Sequence, residues 1–97
     1  MNEQAIQKKI ITHLEANGFV VVKIITANRA GIPDIIACSP EGQSWAVEVK
    51  QEKGRLSKLQ QVWLDRFKRN NAVAFCCYGW QDYLRQFSQA QAGYHPL

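Results

Sequence analysis

Asp34, Glu48 and Lys50 are the residues whose types and spacing could do chemistry together. Asp34 follows Pro33 at the start of a short apolar stretch, and Glu48 and Lys50 lie two apart in the alternating segment 44–50. Alternate residues of a strand share a face. Asp34, Ile36 and Cys38 therefore point one way, and Ala46, Glu48 and Lys50 share a face in the next strand. With residues 39–43 as the turn, Cys38 meets Ser44, Ile36 meets Ala46 and Asp34 meets Glu48. Opposed residues of an antiparallel pair have Cβ atoms about 4.5–5.5 Å apart. Two carboxylates so placed repel unless positive charge sits between them. A divalent cation is the natural candidate, because hard ions such as Mg²⁺ take carboxylate, water and phosphate oxygens. Such an ion can polarise a phosphoryl oxygen and lower the pKa of a bound water. Lys50 would then orient or activate that water, or offset charge building on the phosphate. The chemistry expected is metal-assisted phosphodiester hydrolysis. Glycoside chemistry also uses paired carboxylates, but the neighbouring lysine and the basic chain favour phosphate. The plainer alternative is an aspartate that begins a strand beside a solvated Glu/Lys pair.

Two more residues belong to this reading. Glu3 shares its helical direction with Ile10 and Leu14, so it ends a buried stripe from which a carboxylate could reach the same metal. Its alternative role is to complement the helix dipole. Gln60 falls among Leu56, Trp63, Leu64 and Phe67 on an inward stripe, where a polar side chain needs a hydrogen-bonding reason. One reason is a capping box, Ser57-x-x-Gln60. The other is a contact to Lys50, to a ligating carboxylate or to a metal-bound water. Arg29, Lys53, Arg55 and Lys58 border the expected site and could hold a phosphate backbone; a solvated charged rim is the competing reading. The pairs Lys8-Lys9 and Lys68-Arg69 read as solvated faces.

The elements that must position these residues are legible from periodicity. Ile6, Ile10, Ile11 and Leu14 recur at helical spacing over 3–17, with Asn17-Gly18 as the stop. A β-branched run over 19–25 reads as a strand, followed by a loop over 26–32. Strands are expected at 34–38 and 44–50, a polar loop at 51–55, a helix over 57–70, a buried strand at 72–78 and a last helix over 80–91. The order is α-β-β-β-α-β-α, an α/β fold with a small mixed sheet flanked by helices. The chain has 97 residues with no repeat, low-complexity tract or linker, so a single domain over 1–97 is expected. No apolar run is long enough to span a membrane. Three cysteines, two of them adjacent, suggest neither a disulfide framework nor a metal knuckle, and a reducing cytoplasm is expected. The cysteines fall in expected strands, where small buried thiols are common, and carry no assigned chemistry. Trp63 and Phe67 read as core, and Trp80 as core or dimer contact. His13 lacks a partner motif, and His95 lies in an expected C-terminal tail. The net charge of +4 suits an anionic partner such as nucleic acid.

Gly31-Ile32-Pro33-Asp34, Glu48-Val49-Lys50 and Gly54-Arg55-Leu56-Ser57-x-x-Gln60 together resemble the VRR-Nuc domain, a branch of the PD-(D/E)xK nuclease superfamily. The likeness runs from Glu3 to about Tyr78. It implies a restriction-endonuclease-like core and DNA cleavage dependent on Mg²⁺ or Mn²⁺, with no organic cofactor. It also implies that Asp34 and Glu48 are metal ligands, with the Val49 backbone carbonyl an additional one, and that Lys50 is catalytic. Glu3 matches the family's first-helix acid, Gln60 its helix glutamine and Gly31 the glycine before Pro-Asp. Gly31 and Ser57 join the four bordering cations as expected DNA contacts. Lys58 departs from the proline often found after the motif serine.

Stand-alone members resemble Holliday junction resolvases, so branched DNA is the expected substrate. One copy carries one site, whereas symmetric cutting of a four-way junction needs two; a homodimer is therefore expected. The alternatives are a metal-dependent DNA nuclease without branch preference and a non-catalytic nucleic-acid-binding module. RNA is disfavoured because no aromatic-rich strand motif is present.

Overall fold

The structure is a computed structural model and describes residues 1–93. Its elements are α1 (Glu3–Ala16), β1 (Val20–Lys23), β2 (Ile35–Cys38), β3 (Ser44–Lys50), α2 (Lys58–Arg69), β4 (Val73–Tyr78) and α3 (Trp80–Ala92). The expected order is the observed one. The strands form one sheet in the order β1-β2-β3-β4. The first three are antiparallel, and β4 joins β3 in parallel after the α2 crossover. Cys38 pairs with Ser44 and Ile36 with Ala46, the register set by the turn at 39–43.

That register sorts the side chains into two layers. Trp45, Val47 and Val49 face α1 and α3, in a core with Ile6, Ile10, Leu14, Ile35, Phe75 and Tyr83. Ala46 and Ala74 pair across β3 and β4 on the other face, where Leu64 of α2 packs on them. Two small side chains at that pair leave room for the helix to approach the sheet. Glu48 and Lys50 alternate with the apolar residues of β3 and so share the α2 face.

Two strand boundaries differ from expectation at β1, which begins at Val20 and ends at Lys23 rather than spanning 19–25. The Phe19 N–H donates to the Leu14 carbonyl and the Gly18 N–H to Glu15, so Phe19 completes the end of α1 while its ring enters the core. Gly18, at φ +85°, makes this reversal possible. At the other end Ile24 donates one last bond to Asp34, and Ile25 is exposed.

His13, which has no partner motif nearby in the sequence, packs against the core, its Nδ1 2.8 Å from the Tyr83 hydroxyl. Its ring meets those of Trp80, Tyr83 and Phe87 edge-on. Trp80 packs against the same core, with the Lys9 ammonium over its ring. Trp63 is half-buried beneath the Arg66 guanidinium, and Phe67 packs on the α2-side cluster. Cys77 is buried, Cys76 is half-buried and Cys38 is exposed. Cys38 departs from the expected burial because α2 packs over β3 and β4, leaving the β1 end of that face open. His95 lies outside the described residues, none of whose helices is long and apolar enough to cross a membrane.

Candidate active site

The site forms where β2 begins and β3 ends. Extending the β2–β3 register back from Ile35 and Val47 sets Asp34 opposite Glu48 and Pro33 opposite Val49. Regular pairing stops there for a chemical reason. Pro33 has no N–H, so it cannot donate to the Val49 carbonyl facing it. The Val49 N–H is taken instead by a side chain, donating to Asp34 Oδ2 at 2.8 Å. Pro-Asp thus ends the ladder, clamps the aspartate to β3 and leaves a backbone carbonyl without a ladder donor beside two carboxylates.

Glu48 is only 3% exposed. Its Oε2 lies 3.7 Å from the Lys50 ammonium and accepts a hydrogen bond from Gln60 Nε2 at 3.4 Å. Burial, together with the adjoining Asp34 carboxyl, pushes its pKa up to about 8; Lys50 opposes the shift and Glu3 adds to it. A carboxyl held this way is short of positive charge. The donor set around it is all oxygen: two carboxylates and the Val49 carbonyl. Hard divalent cations accept such a set, completing their shell with water. The residues therefore fit Mg²⁺ or Mn²⁺. Among the described residues no three acidic, histidine or cysteine side chains cluster closely enough to enclose a metal. Glu3 contributes through its charge, from half-buried ground at the start of α1.

Gln60 combines the two roles between which sequence leaves a choice. Its Oε1 accepts from the Ser57 N–H at 2.9 Å, and its own N–H donates to Ser57 Oγ at 3.1 Å, a complete capping box. The amide nitrogen left over is the one that reaches Glu48. One side chain thus starts α2 and fixes a carboxylate on β3.

Gly31 positions the loop before Asp34. It has φ +83°, and a β-carbon there would lie 2.7 Å from Leu59 Cγ. Only glycine lets the loop rest on the first turn of α2. Gly54 similarly lies against the Lys50 stem, where a β-carbon would come 3.1 Å from Lys50 Cβ. Arg29, Lys53, Arg55 and Lys58 are all exposed. Arg55, Ser57 and Lys58 line an open groove of ≈ 530 Å³ with Gly54, Leu56, Gln61 and Tyr78. Lys53 lines a separate cavity of ≈ 430 Å³ with Ile6, Gly79 and Trp80.

Two residues near the site escape a motif search. Gln7, one turn beyond Glu3, is buried with no hydrogen-bond partner for Oε1 among the described residues. Its signal was a polar residue beside the apolar stripe of α1. Tyr78 pairs with Lys50 across β3 and β4, a position that needs the parallel register to be seen.

The comparisons with known proteins agree with this architecture. The family model of the VRR-NUC domain matches residues 1–81. A solved structure of a VRR_NUC domain superimposes with a TM-score of 0.76 at 28% identity, covering 95% of this chain and 97% of that one. No curated protein matches the chain. The matched span begins before the Glu3 helix, contains Pro33-Asp34, Glu48-Val49-Lys50 and Gln60, and reaches the first turn of α3. The chain therefore belongs to the VRR-NUC family of nuclease domains.

Proposed function

We propose that this nuclease domain is a Mg²⁺- or Mn²⁺-dependent DNA endonuclease that cuts branched DNA, four-way junctions included, as a homodimer. The carrying observation is the pairing of half-buried Asp34 with buried Glu48 beside Lys50, where Pro33 has no N–H to offer the Val49 carbonyl. Asp34, Glu48 and the Val49 carbonyl would hold the cation, and Glu3 would add charge at its edge. When bound, the cation supplies phosphate polarisation and a water of lowered pKa. Asp34 is held for its task by the Val49 N–H, and Glu48 by Gln60 and Lys50. Lys50 sits where a cation offsets charge developing on a scissile phosphate. Arg29, Lys53, Arg55 and Lys58 would neutralise backbone phosphates, while Gly31 and Ser57 shape the α2 side of the DNA path. A single site per chain supports the dimer, since paired cuts across a junction need two.

The test compares a labelled four-way junction, a fork and a linear duplex in EDTA, Mg²⁺ or Mn²⁺. Paired symmetric cuts in the junction are expected, abolished by EDTA and reduced at least ~10²-fold in Asp34→Ala, Glu48→Ala and Lys50→Ala. Retained cutting in all three variants would eliminate the mechanism. Equal cutting of every substrate would remove the branch preference. Binding without cutting under every metal would leave a non-catalytic module.

A further inference from the structure

An open groove adjoins Lys50, and its lining mixes aromatic, cationic and apolar side chains. Tyr78 forms one wall. It stands opposite Lys50 in the parallel β3–β4 register, on the face that Lys50 and Glu48 share. Its backbone is fixed, the Tyr78 N–H donating to Asp82 Oδ2 at 2.8 Å. Arg55 and Lys58 line the same groove and supply cations, and Leu56 supplies a half-buried apolar surface. Gly54 ties this loop to the Lys50 stem, so the groove begins at the proposed catalytic residue.

Its volume of ≈ 530 Å³ lies within the range of about 300–1,000 Å³ typical of sites for single small molecules. A base inside a duplex is stacked and paired, so it cannot lie against a ring at the groove wall. An unpaired base can, because aromatic side chains stack on any base while cations follow its phosphates. We infer that this groove takes one unpaired nucleotide flanking the scissile phosphate, its base against Tyr78 and its phosphate held by Arg55 and Lys58. Tyr78 would then be a specificity residue that favours substrates with unpaired nucleotides at the cut. The inference rests on the proposed nuclease reading and names the feature of forked DNA that the site recognises. In a four-way junction, whose bases are paired, a nucleotide must open at the branch point to enter the groove.

The test places 2-aminopurine at each nucleotide flanking the cut in a forked DNA and in a paired duplex. Binding is followed on a Lys50→Ala background, so no cleavage is needed. The fluorescence of one fork position is expected to be quenched on binding, with quenching kept in Tyr78→Phe and lost in Tyr78→Ala. Affinity for the fork should fall about tenfold in Tyr78→Ala, with duplex affinity unchanged. Quenching that persists in Tyr78→Ala, fails in Tyr78→Phe, or is equal in the duplex overturns the inference. Equal loss of affinity on both DNAs would assign Tyr78 a structural role and overturn it too. Arg55→Ala and Lys58→Ala alter exposed side chains and keep the wall intact. Each should lower the salt slope of fork binding by about one, and unchanged slopes overturn the phosphate assignment. Absence of cleavage by the wild-type chain in any metal would instead count against the nuclease reading, leaving the stacking result to stand separately.

Discussion

At Glu48, burial and the Asp34 carboxyl favour the neutral form, and a bound cation would reverse that preference. A carboxyl with a raised folded-state pKa gives stability that is fully present below its ordinary value near 4.5. That stability is lost as pH rises towards about 8. In EDTA, the thermal midpoint of the wild-type chain should therefore fall between pH 5 and 8, and that of Glu48→Gln should not. Adding Mg²⁺ at pH 8 should raise the wild-type midpoint by several degrees and leave Glu48→Gln nearly unmoved, as expected for a ligand bound only by the folded state. A flat wild-type profile, or an equal Mg²⁺ shift in both proteins, would contradict the metal assignment. His13 has the opposite sign. Burial lowers its pKa from the ordinary 6.5, so its contribution is full above 6.5 and is lost as pH falls through the lowered value. The titratable and charged groups near it are the Tyr83 hydroxyl and Lys9, whose ammonium lies over the Trp80 ring that also meets His13. His13→Phe should be less stable at pH 7.5, having lost the Tyr83 partner, yet show a shallower decline between pH 7 and 5. Parallel declines in chemical denaturation would refute this. At this scale the sequence exposed the acids and the lysine, because their spacing follows the two-residue period of a strand. It left the Gln60 amide a choice of partners, since which one it meets depends on how the 51–57 loop returns α2 to the sheet.

At the scale of elements, the site is a junction where β2, β3 and α2 meet through contacts that tolerate little change. Gly31→Ala would introduce a β-carbon at φ +83° and 2.7 Å from Leu59 Cγ. Backbone strain of about 1–3 kcal/mol is expected at such a position, and the loop must lift off α2 to relieve it. Because Asp34 ends that loop, cleavage should fall by more than the folded fraction does. Comparing denaturant midpoints with turnover of the folded protein separates the two effects, and an activity loss equal to the unfolded fraction would remove the positioning role. The seven elements were readable because each carries its own period and its own stop: Asn17-Gly18 after α1, Pro33 before β2 and Ser57 before α2. The ends of β1 were not, because Phe19 reads as a strand former yet serves the helix that precedes it.

Across the whole molecule, the two sheet faces are unequally covered. α1 and α3 cover one face, whereas on the other α2 lies over β3 and β4 and leaves Val20 and Val22 of edge strand β1 at 71% and 54% exposure. An open edge with apolar side chains is a ready pairing surface. The proposed homodimer needs a face that can meet its own copy, and this is one apolar candidate among the described residues. Val20→Asp with Val22→Asp should convert the dimer to monomer in sedimentation and turn paired junction cuts into single nicks. An unchanged sedimentation coefficient would place the interface elsewhere. Sequence could not show this surface, because alternation marks which side of a strand is apolar but not which helix, if any, lies over it.

The doubly engaged Gln60 also narrows what evolution can write at its position. Capping boxes in general accept glutamate as readily as glutamine at the third helical residue. Here glutamate would keep the bond to the Ser57 N–H while turning a carboxylate, instead of an N–H donor, towards Glu48. A substitution that is silent for helix formation would set a further carboxylate against the Asp34–Glu48 pair. The helix start and the acid on β3 therefore share one letter of the sequence, and neither can drift without the other.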